Sequence, residues 1–418
     1  MMEVGPGGDR RRTVAVVGTG LMGAGIALVF ASSGAEVALC GRDIMGSLRG
    51  VDRIRARLER LQTRGNSAGL QGSEILERIK PTLIDGPDLS RCGLAIEAVS
   101  EDRPTKNTVL RQLERVLGPD AFIASTTSGL PISGLARELR LPERFIGLHF
   151  FSPAERMALV EVVRGEETSG STVEAALEWV LFAGKVAILV RDGPGFFATR
   201  IFAAYLDEGV GMLVDGVAPE TIEAAARSAG RVLGPLATLD ETGIDLNLQQ
   251  ARQAQADGLP ERFLRPLSSG ALTEMVAAGR RGRRKGGGFY DWPSSGKDRR
   301  IWAGLVDMFP RQRIQPDIEY VRRRLLAAEA LESLRCLEEG VIDNADDADT
   351  ATVLGLGFDA KLGGILRWAE AFGLAEFTRL CRELSRAHGS RFELSPWLQN
   401  LASGEAGLAR YRRLGTMS

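Results

Sequence analysis

Histidine and cysteine are scarce in this sequence, which has two histidines and four cysteines among 418 residues. The cysteines lie far apart, without a CxxC pair, at Cys40, Cys92, Cys336 and Cys381. Zinc sites and disulfide frameworks need cysteine or histidine at recurring short spacings. We therefore expect reduced thiols, as in a cytosolic protein, and no metal site.

An excess of charge of one sign and a long apolar run are also missing. The chain has 53 lysines and arginines against 54 aspartates and glutamates, for a formal net charge of −1. This balance provides no overall field to attract nucleic acid or an anionic membrane. No apolar run approaches the roughly 20 residues that a bilayer-spanning helix requires, and the first residues, MMEVGPGGDRRR, lack the apolar core of a signal peptide. We expect a cytoplasmic protein that binds neither nucleic acid nor membranes.

The first half of the sequence alternates short apolar runs with helical patterns. Seven runs between Thr13 and about Val190 have strand composition: TVAVVG, EVALC, LAIEAV, AFIAS, RFIGLHF, ALVEVV and VAILV. Strands that are apolar along their whole length are typical of a parallel sheet covered by helices on both faces. The segment RDGPGFF (191–197) marks a linker, and the pattern beyond it is helical. The predicted fold is a Rossmann-type doubly wound α/β domain over residues 1–192, followed by an all-α region.

The helical region contains an internal repeat. RIFAAYLDEGVGMLVDGV, which starts at Arg200, matches RLLAAEALESLRCLEEGV, which starts at Arg324, so the offset is 324 − 200 = 124 residues. A loop rich in glycine and arginine (279–298) lies between the two copies. We predict two repeated helical domains, over residues 193–297 and 298–418; a chance match of two helical hairpins is the alternative.

The segment GTGLMG fits the pattern G-x-G-x-x-G and follows an apolar strand at the start of a helix. In such a turn Gly18 allows the tight bend, Gly20 lets a pyrophosphate approach, and Gly23 lets helix and strand pack closely. Leu21 and Met22 open the helix, whose N-terminus attracts negative charge. The pattern predicts a dinucleotide site, with a glycine turn that holds no ligand as the alternative.

The end of the second strand, EVALCGRD, bears on the choice of cofactor. Gly41 stands where NAD enzymes place a carboxylate that binds the adenosine ribose, and Arg42 follows it. Glycine cannot bind the ribose, whereas an arginine can bind a 2′-phosphate. We predict an NAD(P)(H) cofactor, with NADP(H) favoured over NAD(H). The alternative is a degraded NAD site beside an exposed arginine.

A histidine and a glutamate are the candidate catalytic pair. His149 ends the apolar run RFIGLHF, and Glu161 lies within ALVEVV, where a carboxylate would be costly without a partner. A buried carboxylate beside an imidazole fixes the tautomer and supports the charged ring, which gives a general base. A purely structural pair is the alternative. The other histidine, His388 in SRAHGSRF, is predicted to lie in an exposed loop.

Ordered segments along nearly the whole chain, from about Arg12 to about Arg410, carry a family resemblance: GTGLMGAGIA, IEAVSED, ASTTSGL, GLHFFSP, VEVV, GPGFFATR and KGGGFYDW. In this order they resemble the L-3-hydroxyacyl-CoA dehydrogenase family. The duplicated tail resembles the dehydrogenase part of multifunctional fatty-acid oxidation enzymes, without their hydratase part.

The resemblance assigns roles to individual positions. It implies a catalytic base at His149 with Glu161 as its partner, and Ser128 as the contact to the 3-oxygen of the substrate. It places Glu101 and Lys106 beside the cofactor.

Several positions depart from the family pattern. Thr126, Ser152 and Thr199 replace asparagines, and Gly41 replaces the ribose-binding aspartate. Ser152 near the cofactor and Thr199 near the substrate still offer hydroxyl groups, although with a shorter reach. These changes leave the acyl preference open.

Basic residues suggest contacts to phosphate. Arginines line one side of the helix predicted for RGVDRIRARLERLQTRG, at Arg53, Arg57, Arg60 and Arg64. By resemblance, Arg57 and Arg64 align with positions that touch coenzyme A. Arg284, in GRRGRRK, is the residue of that loop best placed for the cofactor phosphates. An ordinary solvated face and an exposed loop are the alternatives.

Together these features predict an NAD(P)-dependent 3-hydroxyacyl thioester dehydrogenase or 3-oxoacyl reductase of fatty-acid metabolism. Its substrate would be an acyl thioester of coenzyme A or of an acyl carrier protein. Two alternatives stay open: another β-hydroxyacid dehydrogenase, or a protein that binds acyl-CoA or a nucleotide without turnover. Because the second helical copy can cover the first, we expect a monomer or a weak homodimer.

Overall fold

Eight strands form one sheet in the first of two compact units, Met1–Gly193 and Pro194–Ser418. The computed structural model describes residues 12–62, 72–293, 299–404 and 407–412. The strands are β1 (Thr13–Val17), β2 (Glu36–Cys40), β3 (Ile79–Thr82), β4 (Leu94–Glu97), β5 (Phe122–Ser125), β6 (Phe145–Phe150), β7 (Leu159–Arg164) and β8 (Val186–Arg191). Their order is β3-β2-β1-β4-β5-β6-β7-β8. The first six are parallel, β7 is antiparallel to β6, and β8 is parallel to β7.

The helices of this unit are α1 (Leu21–Ser32), α2 (Ile44–Gln62), α3 (Gly72–Glu77), α4 (Arg103–Val116), α5 (Ile132–Ala136) and α6 (Gly170–Phe182). The core joins β1 and β4 to α1 and α6, and α1 is buried along most of its length. The order β3-β2-β1-β4-β5-β6 is that of dinucleotide-binding sheets, whose ligands bind at the carboxyl ends where the order reverses, between β1 and β4. The predicted fold class is confirmed.

All seven apolar runs predicted as strands are strands of this sheet, and β3 is an additional one. Its sequence, IKPT, contains a lysine and a proline, so no apolar run marks it. Among the described strands it pairs with β2 alone, at the edge of the sheet, where proline is tolerated because one side of the strand needs no ladder hydrogen bonds.

The second unit is largely helical. Its helices are α7 (Ala198–Val214), α8 (Pro219–Ser228), α9 (Pro235–Thr242), α10 (Ile244–Ala256), α11 (Ser269–Ala277), α12 (Leu305–Met308), α13 (Ile318–Glu338), α14 (Ala345–Leu354), α15 (Ile365–Phe372), α16 (Leu374–His388) and α17 (Pro396–Ser403). A two-stranded hairpin of β9 (Tyr290–Asp291) and β10 (Arg300–Ile301) lies within and just beyond the predicted glycine- and arginine-rich loop. Among the described helices, none is both long enough and apolar enough to cross a bilayer.

The predicted loop is anchored to the helical core by one buried carboxylate. Asp240 accepts hydrogen bonds from the backbone N–H groups of Phe289 and Tyr290 at 2.8 and 2.9 Å, and from the indole of Trp292 at 2.7 Å. Burial raises the pKa of Asp240 to about 6, although these three donors favour its charged form. The aromatic end of the loop is therefore part of the fold of this unit.

The two matching segments lie mainly on α7 and α13, which pack on each other. Two buried arginines at matching positions, Arg200 and Arg324, each bind acidic residues of the opposite segment. The pairs are Arg200 with Glu332 and with Glu339 (2.6 Å), and Arg324 with Glu208 (2.5 Å) and with Asp215 (2.9 Å). Glu208 and Asp215 correspond to Glu332 and Glu339 at the same offset of 124 residues, since 332 − 208 and 339 − 215 are both 124. The contacts have the reciprocity of a twofold interface within one chain.

His388 differs from its prediction as an exposed loop residue. It is the last residue of α16, is half-buried, and its Nε2 lies 2.6 Å from the hydroxyl of Tyr320. The helix continues to His388 because Gly389, at φ 95°, ends it in a conformation that favours glycine.

Candidate functional site

The glycine turn follows β1 and leads into α1. A Cβ at Gly18, where φ is 119°, would meet the carbonyl oxygen of Ala98 at 2.3 Å, and a Cβ at Gly23 would meet the carbonyl oxygen of Gly18 at 1.9 Å. A Cβ at Gly20 would meet no atom within 4 Å. The first and third glycines are therefore required by the packing of the turn, whereas the second leaves a clear surface at the helix N-terminus, as a pyrophosphate requires. Leu21 is exposed and Met22 packs against the core.

Two arginines of α2 hold this turn from one side. Arg53 donates to the carbonyl oxygen of Thr19 at 2.5 Å, and Arg57 donates to that of Leu21 at 2.9 Å. Arg57 also pairs with Glu155, on the segment after β6, at 3.2 Å, and both side chains are largely buried. Arg57 was assigned to coenzyme A by resemblance, but its guanidinium binds residues of its own unit. Arg64 was assigned in the same way and lies outside the described residues.

The end of β2 has no carboxylate at the ribose position. The N–H of Gly41 donates to Ser47 Oγ at 2.8 Å, and a Cβ at position 41 would come within 2.5 Å of the Ser47 backbone nitrogen. Glycine at this position therefore lets α2 begin close to the strand. Arg42 is exposed and makes no hydrogen bond or ion pair with any described residue. Asp43, by contrast, accepts from the N–H of Gly46 at 2.6 Å at the start of α2.

His149 and Glu161 meet across two neighbouring strands. They are directly opposite in the antiparallel pair β6–β7, which puts both side chains on one face of the sheet. His149 Nδ1 lies 2.5 Å from Glu161 Oε2; Glu161 is fully buried and His149 nearly so. If Nδ1 carries the proton shared with the carboxylate, Nε2 is the ring nitrogen through which a proton can be accepted.

Glu101, Lys106 and Ser128 are brought together after the carboxyl ends of β4 and β5. Glu101 Oε1 accepts from the backbone N–H groups of Ser128 and Gly129 at 3.1 and 3.2 Å. Its other oxygen lies 3.3 Å from Lys106 Nζ. Glu101 is partly exposed, but the Lys106 side chain is only 1% exposed. Lys106 therefore lies behind Glu101 and acts on this edge of the sheet through its contact with Glu101.

Sequence reasoning missed three residues behind this network: Glu97, Ser125 and Thr127. Glu97, the last residue of β4, is fully buried, pairs with Lys106 at 2.9 Å and accepts from Ser125 Oγ at 2.6 Å. Thr127 Oγ1 donates to Glu101 Oε1 at 2.6 Å. Glu97 carried a usable signal, because it is a carboxylate within the apolar run LAIEAV, as Glu161 is within ALVEVV.

The remaining predicted residues are Thr126, Ser152, Thr199 and Arg284. Thr126 follows β5, and its N–H donates to the carbonyl oxygen of Glu97 at 3.0 Å. Ser152 is exposed just after β6. Thr199, in the first turn of α7, and Arg284, exposed on the short turn Arg283–Lys285, belong to the helical unit. Within the described ranges no cluster of His, Cys, Asp or Glu has the arrangement of a metal site.

The four cysteines are buried, which bears on their chemistry. Burial raises the pKa of Cys40, Cys92 and Cys381 to about 12. Because the thiolate is the reactive form, these thiols are poor nucleophiles at neutral pH.

A dinucleotide-type turn, with a histidine–carboxylate pair on the same sheet, is the arrangement of a nicotinamide-dependent oxidoreductase. The chain belongs to the 3-hydroxyacyl-CoA dehydrogenase family. The family's NAD-binding domain matches residues 13–193, and its C-terminal domain matches residues 195–292.

Solved structures agree with this assignment. The 3-hydroxybutyryl-CoA dehydrogenase of Escherichia coli K12 is 30% identical, with a TM-score of 0.80, and the match covers 94% of this chain and 98% of that one. The (S)-3-hydroxybutyryl-CoA dehydrogenase PaaH1 of Ralstonia eutropha is 33% identical, with a TM-score of 0.63, over 68% of this chain and 99% of its own. The dehydrogenase part of multifunctional enzyme 1 of C. elegans, 24% identical over 93% of this chain and 89% of its own, with a TM-score of 0.67, shares the fold.

Gly20 and Gly23 offer a matched test of the turn. Gly20→Ala should leave the melting temperature nearly unchanged but weaken cofactor binding by about tenfold or more, because the methyl group stands in the open space beside the helix N-terminus. Gly23→Ala should lower the melting temperature, because its methyl group overlaps the Gly18 carbonyl. Thermal unfolding and titration of nicotinamide fluorescence measure the two effects. Equal cofactor binding by Gly20→Ala and the parent would show that the dinucleotide does not approach this turn.

Proposed function

We propose that the protein is a 3-hydroxyacyl thioester dehydrogenase, which runs in reverse as a 3-oxoacyl reductase. The observation that carries this proposal is the 2.5 Å contact between His149 Nδ1 and Glu161 Oε2, on the sheet that bears the glycine turn. A carboxylate that orients an imidazole is the arrangement of a general acid–base catalyst. Family membership and the 3-hydroxybutyryl-CoA dehydrogenases among the relatives favour an acyl-CoA substrate.

In this proposal each residue has a defined task. The bound nicotinamide cofactor supplies the hydride chemistry. His149 accepts the proton of the substrate 3-hydroxyl during oxidation and returns it to the 3-oxygen during reduction. Glu161 supports the charged imidazole, and the Ser128 hydroxyl donates a hydrogen bond to the same oxygen.

An assay with acetoacetyl-CoA tests the function. The purified protein is given acetoacetyl-CoA or free acetoacetate, each with NADH or NADPH, and loss of the reduced-nicotinamide absorbance is followed. We expect turnover of the thioester and little of the free acid. Turnover of the free acid alone would indicate another β-hydroxyacid dehydrogenase, and binding without turnover would indicate a binding protein.

We propose that NADP(H) is favoured over NAD(H). Two features support this preference: glycine at the ribose position, and the exposed Arg42, whose side chain has no partner among the described residues. Since a Cβ at position 41 would overlap the backbone of Ser47, introducing an aspartate there would disturb the start of α2. Arg42 is therefore the better position for a test.

Arg42→Gln should raise the KM for NADPH by about 10- to 100-fold, the effect of losing a charge-assisted hydrogen bond. The KM for NADH should stay within about twofold. Arg49→Gln is the matched control, because Arg49 is also an exposed arginine near the end of β2 but lies 3.8 Å from Asp43. A parent protein that prefers NADH would contradict the proposal, whatever the variant does.

We also propose that residues 193–297 and 298–418 are two copies of one helical domain, and that the protein is a monomer or a weak homodimer. The reciprocal ion pairs of Arg200 and Arg324 support this, because each copy already satisfies the buried charges of the other. The R. eutropha relative, aligned over 99% of its own length, covers only 68% of this chain. The C-terminal family domain ends at residue 292, before the second copy.

A further inference from the structure

A cluster of three charged groups lies behind the turn that carries Ser128. Lys106 Nζ lies 2.9 and 3.0 Å from the two oxygens of Glu97, and 3.3 Å from Glu101 Oε2. Glu97 and Lys106 are 0% and 1% exposed, whereas Glu101 is 29% exposed. Charged groups are buried at this depth only when each has close partners, because desolvation strongly opposes their burial.

Each member of the cluster holds the next. Glu97 is fixed at the end of β4 by the backbone N–H of Val99 at 2.8 Å and by Ser125 Oγ at 2.6 Å. It thereby fixes the ammonium group of Lys106, on α4. That ammonium group binds one oxygen of Glu101, and the other oxygen of Glu101 accepts hydrogen bonds from the backbone N–H groups of the Ser128 turn.

The turn itself depends on Glu101. The N–H groups of Ser128 and Gly129 and the hydroxyl of Thr127 all point to Glu101 Oε1, at 3.1, 3.2 and 2.6 Å. If Glu101 rotated away, the N–H of Ser128 would lose this acceptor, whereas that of Gly129 would keep Thr127 Oγ1 at 3.3 Å. The carboxylate of Glu101 therefore helps to hold the Ser128 backbone, together with Thr127 Oγ1, which also accepts from the N–H of Leu130 at 2.9 Å.

We propose that Glu97 and Lys106 are positioning residues for the reaction. They lock the rotamer of Glu101 and so hold the Ser128 hydroxyl where the 3-oxygen of the substrate binds. The effect of the Ser128 position on turnover rests on the proposed function, in which Ser128 contacts the substrate. The coupling of Glu97 to the turn does not depend on that function. Catalytic hydrogen bonds lose much of their effect when displaced by about 1 Å, so a distant buried pair can control turnover.

Glu97→Gln is the sharpest variant, since it removes one charge with little change of shape and leaves Lys106 paired with Glu101. Lys106→Met would leave two carboxylates facing each other and would endanger folding. Glu138→Gln is the matched control, because Glu138 forms an exposed ion pair at 3.1 Å with Arg111, which also lies on α4.

Residue-resolved hydrogen exchange tests the coupling without any need for turnover. In Glu97→Gln, the amide of Ser128 should exchange roughly tenfold faster than in the parent, and that of Gly129, which also donates to Thr127 Oγ1, should accelerate less. The amides of Ile132 and Ser133 provide an internal reference, because they bind Asp192 instead, at 2.9 and 2.7 Å. Unchanged exchange at Ser128 and Gly129 would overturn the proposal, even in an active enzyme.

A double-mutant cycle with Ser128→Ala tests the consequence for catalysis. Glu97→Gln should lower kcat for acetoacetyl-CoA by about 10- to 100-fold, with the KM for the nicotinamide cofactor within about threefold. In the Ser128→Ala background it should cause little further loss, since the two changes then act on the same contact. Losses that multiply would assign Glu97 a purely structural role and overturn the proposal. A parent without thioester turnover would contradict the proposed function, while hydrogen exchange would still decide the coupling.

Discussion

Replacing His149 by glutamine should lower turnover of acetoacetyl-CoA by roughly two to four orders of magnitude, the usual contribution of a general acid–base group. Glutamine keeps a similar shape and can still reach Glu161, but it cannot take up and return a proton near neutral pH. Cofactor affinity should change little, because the glycine turn follows β1, whereas His149 lies on β6. Steady-state kinetics and cofactor titration measure the two effects.

His388 provides the matched control for this experiment. It is the only other histidine of the sequence, and it contacts Tyr320 in the helical unit. His388→Gln should leave turnover within about twofold of the parent. If His149→Gln also stays within a few-fold, His149 is not the base, and its contact with Glu161 serves the fold alone.

The sequence predicted those parts of the site whose signal is local. The glycine turn depends on neighbouring residues, and the close approaches of Gly18 and Gly23 follow directly from its pattern. Glu161 could be recognised because a carboxylate within an apolar strand requires a partner. The same reasoning applies to Glu97, but within the run LAIEAV and the segment IEAVSED it was assigned no role.

Contacts between distant residues could not be predicted in this way. Arg57 was assigned to coenzyme A by resemblance, yet its guanidinium binds Glu155, 98 residues away, and the glycine turn. No periodicity of α2 indicates that a carboxylate after β6 lies beside it. Lys106, which was predicted to lie beside the cofactor, is likewise buried behind Glu101. The burial of a side chain depends on packing across the whole unit, which a local sequence pattern does not indicate.

The match between the two segments was visible in the sequence, but the register of their contacts was not. The expectation that the second copy covers the first does not say which residues of the segments at Arg200 and Arg324 meet. The structure shows that α7 and α13 pack on each other, and that the segment after the predicted boundary at residue 298 packs on α7–α11. Leu305 and Phe309 belong to the core of α7–α11, and the N–H of Gln312 donates to the carbonyl oxygen of Gly216 at 2.9 Å.

This packing determines where the chain should be shortened to test its assembly. A chain that ends at Asp298 would lose Leu305 and Phe309 from the first core, so its failure to fold would be ambiguous. A chain that ends at Pro316 keeps this segment and removes α13 to α17, so that it loses only Val321 and Leu325 of α13 from the described residues of this core. It leaves Arg200 without Glu332 and Glu339, and it leaves Glu208 and Asp215 without Arg324.

The shortened chain should form dimers or aggregate. Removing one partner of a buried ion pair costs about 3–5 kcal/mol, a large part of the roughly 5–15 kcal/mol by which a domain is stable. Because Glu208 matches Glu332 in the repeat, a second shortened chain can offer its Glu208 to Arg200, and the reverse. Self-association would thus give Arg200 acidic partners again and cover the apolar side of α7, although the buried pair of Arg231 with Glu329 would stay broken.

Light scattering on the intact chain, the chain ending at Pro316 and an Arg200→Glu variant of the shortened chain separates the outcomes. We expect the intact protein to be a monomer or a weak dimer and the shortened chain to be a dimer or an aggregate. The variant should not form the dimer, since two glutamates would face each other at positions 200 and 208. A shortened chain that stays monomeric and stable would show that the second copy is not needed to cover the first.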